Sequence, residues 1–405
     1  MAGVSAFFVK RSVFMLLSLS LILLVGMFLG WLFKQIKLPS LIGMMLTGII
    51  LGPSVLNLID NSILDISSEL RRIALIIILT RAGLTLKWSD LKKVGRPAIL
   101  MCFVPAVFEM IGILILAPLL LNVSIIEALI IGAVVAAVSP AVIVPKMIKL
   151  IEDGYGKDKS IPQLILAGAS VDDVFVIVLF TAFLGLEQGD KISVISFINI
   201  PISIILGVLI GLLIGFLLSK FFTKCHMRDT VKVIIILCIS FVLSTIENEL
   251  TIPITFSALI AIMFMGITMQ KNNKEISERL SSKFNKLWVG AEIMLFVLVG
   301  ATIDLQFVSK TALPAILLIF GSLCFRMLGV YISLIRTKLT IKERLFCMFS
   351  YIPKATVQAA IGGIPLSLGL SCGNTVLTVA AIAIIITAPL GAFLIDITHK
   401  KLLKR

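Results

Sequence analysis

The sequence predicts an all-α protein that crosses a membrane about thirteen times, and three observations predict it. Of 405 residues, 59% are hydrophobic and only 14% charged, with a mean hydropathy of +1.14; soluble domains do not have this composition. Apolar runs of about 20 residues, the length that crosses a hydrocarbon core, recur along the whole chain. The basic residues gather in alternate connecting segments, the pattern that orients helices in a bilayer.

The first apolar run, 12–33 (SVFMLLSLSLILLVGMFLGWLF), is too long for a signal-peptide core and has no small-residue cleavage site after it. It is expected to stay as a helix. Further spans are expected at 39–58, 70–86, 97–121, 125–146, 161–186, 193–219, 231–247, 253–270, 285–304, 311–335, 344–366 and 374–396. The longest polar stretch between them, 271–286, reads as a loop, which leaves no soluble domain. With the N-terminus outside, most basic residues fall in cytoplasmic segments, from Lys34 and Lys37 through Lys87, Lys92, Lys93 and Arg96 to Lys400, Lys401, Lys404 and Arg405. Lys10, Arg11, Arg71, Arg72, Lys191 and Lys310 are then placed outside. The net charge of +14 is therefore a topology signal rather than a nucleic-acid footprint. The C-terminus is expected in the cytoplasm, and the absence of targeting features suits a prokaryotic plasma membrane.

Several chemistries are excluded. The six cysteines (102, 225, 238, 324, 347 and 372) are scattered, with no C-x-x-C pair, so neither a disulfide framework nor a metal centre is expected. His226 and His399 fall in loops and cannot relay protons within the membrane. No phosphate-binding G-x-x-x-x-G-K-[ST] motif occurs, so no nucleotide-driven motor is encoded. A membrane enzyme would need a histidine, a reactive cysteine or a metal motif at depth, and none is found there.

The spans divide into six (12–186), a linker helix (193–219) and six more (231–396). The first set starts outside and the second inside, so the two would be inverted relative to each other. LTRAGLTL (79–86) and LVGATIDL (298–305) share both terminal leucines and an alanine in register. Inverted repeats are characteristic of transporters. The fifth and twelfth spans, equivalent under the repeat, are both disrupted. One contains AAVSPAVIVP (136–145), with Pro140 and Pro145; the other contains YIPKATVQAAIGGIP (351–365), with Pro353, Gly362, Gly363 and Pro365. Proline removes a helix donor and clashes with the preceding turn, so both segments are expected to unwind and line a passage.

Charged groups at mid-membrane depth mark the site. They are Glu109, Asp172, Asp173, Glu292, Arg326 and Lys354. Asp172 and Asp173 interrupt GASVDDVFVIVLF (168–180), where each acid costs roughly 2.5–3.5 kcal/mol by insertion scales. Neighbouring helix residues point about 100° apart, so one aspartate faces a cavity and the other a neighbouring helix. A carboxylate away from water and beside a second one is costly to leave charged. It is stable when it holds a proton, or a hard cation such as Na⁺ or Li⁺, and exchange requires only that it hold one at a time. Glu109 and Arg326 are symmetry mates under the repeat and are expected to pair, with Arg326 alternatively shared between Glu109 and Asp172. Lys354 is expected to offset negative helix ends at the break, and Glu292 to face it. Ser139 and Thr356 are candidate oxygen donors. Arg81, one turn from a helix end, is expected to snorkel.

VSPAVIVPKM, GYGKDKSIPQLILAGASVDDV, CFRMLGV and YIPKATVQAAIGG together resemble the monovalent cation:proton antiporter superfamily, in particular its NHA branch of sodium/proton antiporters. The likeness runs from about residue 40 to the end. It implies a core domain of about 97–186 and 311–396 with two crossing discontinuous helices, a dimerisation domain, a homodimer and elevator-like alternating access. It places the ion-binding aspartate at Asp173, its partner at Asp172 and the buried cation at Arg326. The crossing falls at 137–142 and 353–358, lined by Val138, Ser139, Pro140, Thr356 and Gln358. Some electrogenic relatives have lysine at the position of Arg326. Arginine keeps its proton, so the expected coupling is nearer one H⁺ per cation.

Two other transport readings stand beside this one. A sodium-coupled organic-anion symporter of the same architecture would have a roomier, more amide-rich crossing. A K⁺-efflux antiporter often carries an appended nucleotide-binding domain, and the chain stops at HKKLLKR, soon after its last span. No cofactor and no nucleotide are expected, only the bilayer and the transported ions.

Overall fold

The computed structural model describes residues 2–85, 95–187, 194–249 and 256–405, and every regular element among them is helical. Lys87, Lys92, Lys93 and Lys191, the last residue of the 79–86 repeat and the first three of the span expected at 253–270 lie outside the described residues.

In the first half, α1 (Ala2–Gln35), α2 (Ser40–Leu51), the short α3 (Asn61–Asp65) and α4 (Ser67–Thr85) precede two broken helices. One is α5 (Arg96–Met101) with α6 (Val104–Leu121); the other is α7 (Ile125–Val135) with α8 (Pro140–Glu152). The half closes with α9 (Ile161–Glu187). After α10 (Val194–Lys224) come α11 (Asp229–Glu249), α12 (Ala258–Asn272), α13 (Lys274–Ala301) and α14 (Leu305–Ser333). Three pieces in series follow, α15 (Ile341–Ser350), α16 (Thr356–Ile361) and α17 (Ile364–Ser367), and then α18 (Gly373–Leu402). Every expected span falls on one of these helices or on a series of them. Among the described residues, eight segments are long and apolar enough to cross a membrane by themselves.

Several boundaries differ from the sequence reading: the last helix runs on to Leu402 and takes in His399, expected in a loop, and three further differences have a clear physical cause. The 271–286 stretch is helical from Lys274 rather than a loop. Asn273 caps it by accepting from Ile276 N, Arg279 pairs with Glu275 one turn away, and Ile276, Leu280 and Phe284 form a buried stripe. Charge density made this stretch look like a loop although its apolar spacing is helical. The 39–58 span ends at Leu51, because the chain turns at Gly52–Pro53 and returns through Leu58 N to Leu51 O at 2.9 Å. The 97–121 span breaks at Phe103, where Pro105 enters the first turn of α6.

The halves interlock reciprocally. Gly48 of α2 lies against Val297 and Ala301 of α13, and Gly83 of α4 lies against Met263 and Gly266 of α12. The second helix of each half thus packs on the third helix of the other, as inverted repeats require. Between them α6 and α14 are in contact, Gly329 against Pro105 and Gly112 against Phe325. These approaches leave no space for a side chain. A Cβ at Gly48 would stand 2.7 Å from Ala301 N and nearer still to Val297 O, both immobile backbone. Gly48→Ala is therefore expected to cost about 1–3 kcal/mol, seen as a lower melting temperature in detergent. Gly290→Ala, where a Cβ meets nothing within 4 Å, serves as the silent control.

At one end of the molecule the 153–160 turn is tied down. Lys159 donates to Glu343 Oε2 at 2.7 Å, Gly156 N donates to Lys404 O at 2.7 Å, and the Tyr155 ring meets His399 edge-on. Burial raises the Glu343 carboxyl, but the Lys159 ammonium and the Thr340 hydrogen bonds outweigh it and hold the group below its ordinary value. A depressed carboxylate stabilises the fold above its unfolded value, about 4.3 for Glu, and that stability is lost as pH falls through the lower folded value. The melting gap between native protein and Glu343→Gln should be widest near neutrality and close below about pH 4. Its size should be about 1 kcal/mol or less, since Lys159 is partly exposed.

Candidate functional site

Two unwound segments cross in the interior. The chain leaves the helix at Ala136 and re-enters it at Pro140; in the second half it leaves after Ser350 and re-enters at Thr356. Ser139 N donates to Pro353 O at 2.8 Å, joining the two strands. Gln358 Nε2 donates across the crossing to Ala137 O at 2.9 Å and Val135 O at 3.2 Å, and Lys354 N donates to Thr387 Oγ1 at 3.0 Å. The carbonyls freed by the unwinding are thus taken up by side chains from other elements, as burial demands.

Arg326 of α14 is the hub. Its Nη1 donates to Glu109 Oε2 at 2.7 Å and to Ala136 O; Nη2 donates to Asp172 Oδ2 at 2.9 Å; Nε donates to Tyr351 O at 2.7 Å. Ala136 and Tyr351 are the C-terminal ends of α7 and α15. One guanidinium therefore covers two negative helix ends and two carboxylates. Its carbon also lies 5.4 Å from the centre of the Tyr351 ring. Glu109 Oε2 accepts a second charged bond from Lys354 Nζ at 2.6 Å. The two cations and two acids of this network are at most 1% exposed.

The two aspartates have different surroundings. Asp172 is fully buried; its Oδ2 also accepts from Val138 N at 2.8 Å, while its Oδ1 has no hydrogen-bond partner. Asp173, on the next face of α9, is 8% exposed and its Oδ1 has no hydrogen-bond partner. Ser139 Oγ, Thr356 Oγ1 and Gln358 Oε1 are likewise buried without a partner. The candidate site thus offers oxygen ligands only. No cluster of His, Cys, Asp and Glu suited to a transition metal occurs among the described residues.

The structure brings Glu109, Asp172, Arg326, Lys354, Val138 and Gln358 into one network around the crossing, with Ser139, Pro140 and Thr356 in the broken segments themselves. Lys354 takes a different position from the expected one. It pairs with Glu109, while Arg326 covers the helix ends and Glu292 faces Arg81. Arg81, expected to snorkel, is half-buried beside that acid. The sequence reading missed Tyr351, which serves through its carbonyl and its ring, and Thr387, one of many threonines in apolar helix. Nothing in their local sequence distinguishes them.

Two broken helices crossing beside buried carboxylates, in a chain built of apolar helices, define a secondary transporter. The profile described as "Sodium/hydrogen exchanger, transmembrane" matches residues 19–401, and the chain belongs to this family. Sodium/hydrogen exchanger 9B2 of Homo sapiens is 31% identical over 383 residues, spanning 91% of this chain and 70% of the human protein. Sodium/hydrogen exchanger 9B1 of Mus musculus is 33% identical over 380 residues, spanning 91% of this chain and 66% of the mouse protein. In fold, the chain is similar to the sodium proton antiporter MjNhaP1 from Methanocaldococcus jannaschii. The TM-score is 0.84, with 22% identity and coverage of 95% of this chain and 97% of that one. The protein is thus a multi-pass membrane antiporter, and not an enzyme.

Proposed function

We propose that this antiporter exchanges Na⁺ or Li⁺ for H⁺ at Asp173, which holds either the cation or the proton and never stands empty for long. The observation that carries the reading is the asymmetry of the pair. Each aspartate keeps an Oδ1 without a partner, but Asp172 is anchored through Oδ2 to Arg326 and Val138 N, whereas the Asp173 carboxylate forms no ion pair among the described residues and its Oδ1 is free to take a cation or a proton. In this role Asp172 is the second cation ligand, and it links Asp173 to the Arg326 network. The unpartnered oxygens of Ser139, Thr356 and Gln358 supply further hard ligands. Arg326 keeps its proton throughout, so each turnover moves one H⁺ per monovalent cation and is electroneutral.

Movement follows from the division of the chain. Residues 97–186 and 311–396 form a core that carries the crossing, and this core slides against the remaining helices in an elevator-like step. The two halves, 12–186 and 231–396, are the inverted repeats that give two equivalent end states. The apolar outer faces of α1 and α10, including Phe28, Trp31, Leu213 and Phe216, suit lipid and a second copy of the chain in a homodimer. The basic residues favour a cytoplasmic C-terminus. A prokaryotic plasma membrane is the residence read from the sequence, although the named relatives include mammalian proteins. Localisation of a tagged chain tests both points.

The deciding experiment uses purified protein in liposomes with an internal pH dye. Gradients of Na⁺, Li⁺ and K⁺ are imposed in turn, with and without a voltage clamp. Proton movement driven by Na⁺ and Li⁺ is expected. Movement with K⁺ alone would make the protein a K⁺/H⁺ antiporter. Sodium-driven uptake of an organic anion with no proton movement would replace antiport by symport.

A further inference from the structure

Arg71 of α4 plays no part in the site described. The sequence reading places it outside the membrane, but the structure buries it, 3% exposed, against the break between α16 and α17. Its Nε donates one turn back to Ser67 O at 3.2 Å, and its Nη1 has no hydrogen-bond partner. No carboxylate among the described residues forms an ion pair with it. The guanidinium lies against Gly363. A Cβ there would come within 2.9 Å of Cζ and Nη2, and nearer still to Nη1, so any side chain at this position would push the guanidinium off the break.

Helix α16 connects this contact to the ion site. It begins at Thr356 in the crossing and ends at Gly362, beside Arg71. Six residues of helix rise about 9 Å. A positive charge with no carboxylate partner among the described residues thus stands one short helix away from the crossing, at the C-terminal end of α16 and toward the face that carries the 52–66 turn. In a poorly screened interior it acts on a passing cation far more strongly than it would in water. It is mounted on α4, whereas α16 and α17 belong to the core.

We propose that Arg71 is the gate and the affinity-setting residue for the 52–66 face. Docked on the glycine break, it closes the route between the crossing and that face. When the core slides, the fixed charge left on α4 weakens cation binding from that side alone. This rests on the proposed sliding of the core and on Asp173 as the carrier.

The test measures half-saturating Na⁺ from each face separately, in liposomes of defined orientation, for native protein, Arg71→Gln, Arg71→Met and Arg71→Lys. The neutral variants should lower the value at the 52–66 face by about tenfold and leave the opposite face within about twofold. Arg71→Lys should stay near native at both. An equal shift at both faces, no shift, or a lysine variant that behaves like the neutral ones would overturn the assignment. So would loss of transport in the neutral variants at an unchanged melting temperature. If one neutral variant does not fold, the other carries the comparison. A native protein that moves no protons, or an active Asp173→Asn, would instead refute the carrier assignment. The difference between the two faces would still judge Arg71.

Discussion

Asp173→Asn is expected to reduce cation-driven proton movement to the level of empty liposomes while the protein stays folded. The asparagine is nearly isosteric and removes only the charge and the ability to bind a proton. Asp173 makes no ion pair with Arg326, whose three nitrogens are spent on Glu109, Asp172, Ala136 and Tyr351. Neutralising it therefore leaves no buried cation unmatched, and stability should stay the same or rise. Asp172→Asn should behave differently. It removes one of the two carboxylates that balance Arg326 and should lower the melting temperature as well as the rate. Dye-reported proton flux and thermal melting on both variants separate the roles. Equal loss of stability in the two would show that the pair acts as one structural unit, and the carrier assignment to Asp173 would fail.

Much of this site is legible in the sequence because the membrane makes exceptions visible. In an apolar chain, each mid-span charge and each paired proline stands out, so Glu109, Asp172, Asp173, Arg326 and Lys354 could be named without coordinates. Partner choice could not. Lys354 and Arg326 carry the same charge at similar depth, and only the packing of α6 against α14 decides which of them covers the ends of α7 and α15. Backbone acceptors such as Ala136 O leave no trace in a side-chain pattern. The burial of Arg71 is illegible in the sequence for the opposite reason. Near a span end, a basic residue reads as a topology signal, and the glycine that makes room for it at 363 lies almost three hundred positions away in the chain. The helix beginning at Lys274 was hidden by its own charges.

Arg326→Ala should cost about 3–5 kcal/mol of stability, the range for breaking a buried pair from one side. It would leave Asp172 with only Val138 N, Glu109 with only Lys354, and the carbonyls of Ala136 and Tyr351 uncovered. Arg326→Lys is the more informative change. It conserves charge but replaces a three-nitrogen fork with a single ammonium, which cannot reach four acceptors lying in different directions. A partial loss of melting temperature is expected even though the net charge is unchanged. The substitution also introduces a group that can release its proton when a cation arrives. Native transport, with arginine fixed in its charged form, should build no membrane potential. The lysine variant should gain a voltage-sensitive component, detected as a dependence of proton flux on the clamped potential. If native transport already generates a potential, the one-for-one coupling fails. The second proton must then come from a group other than Arg326, and Lys354, held on Glu109 at the same crossing, is the next residue to test.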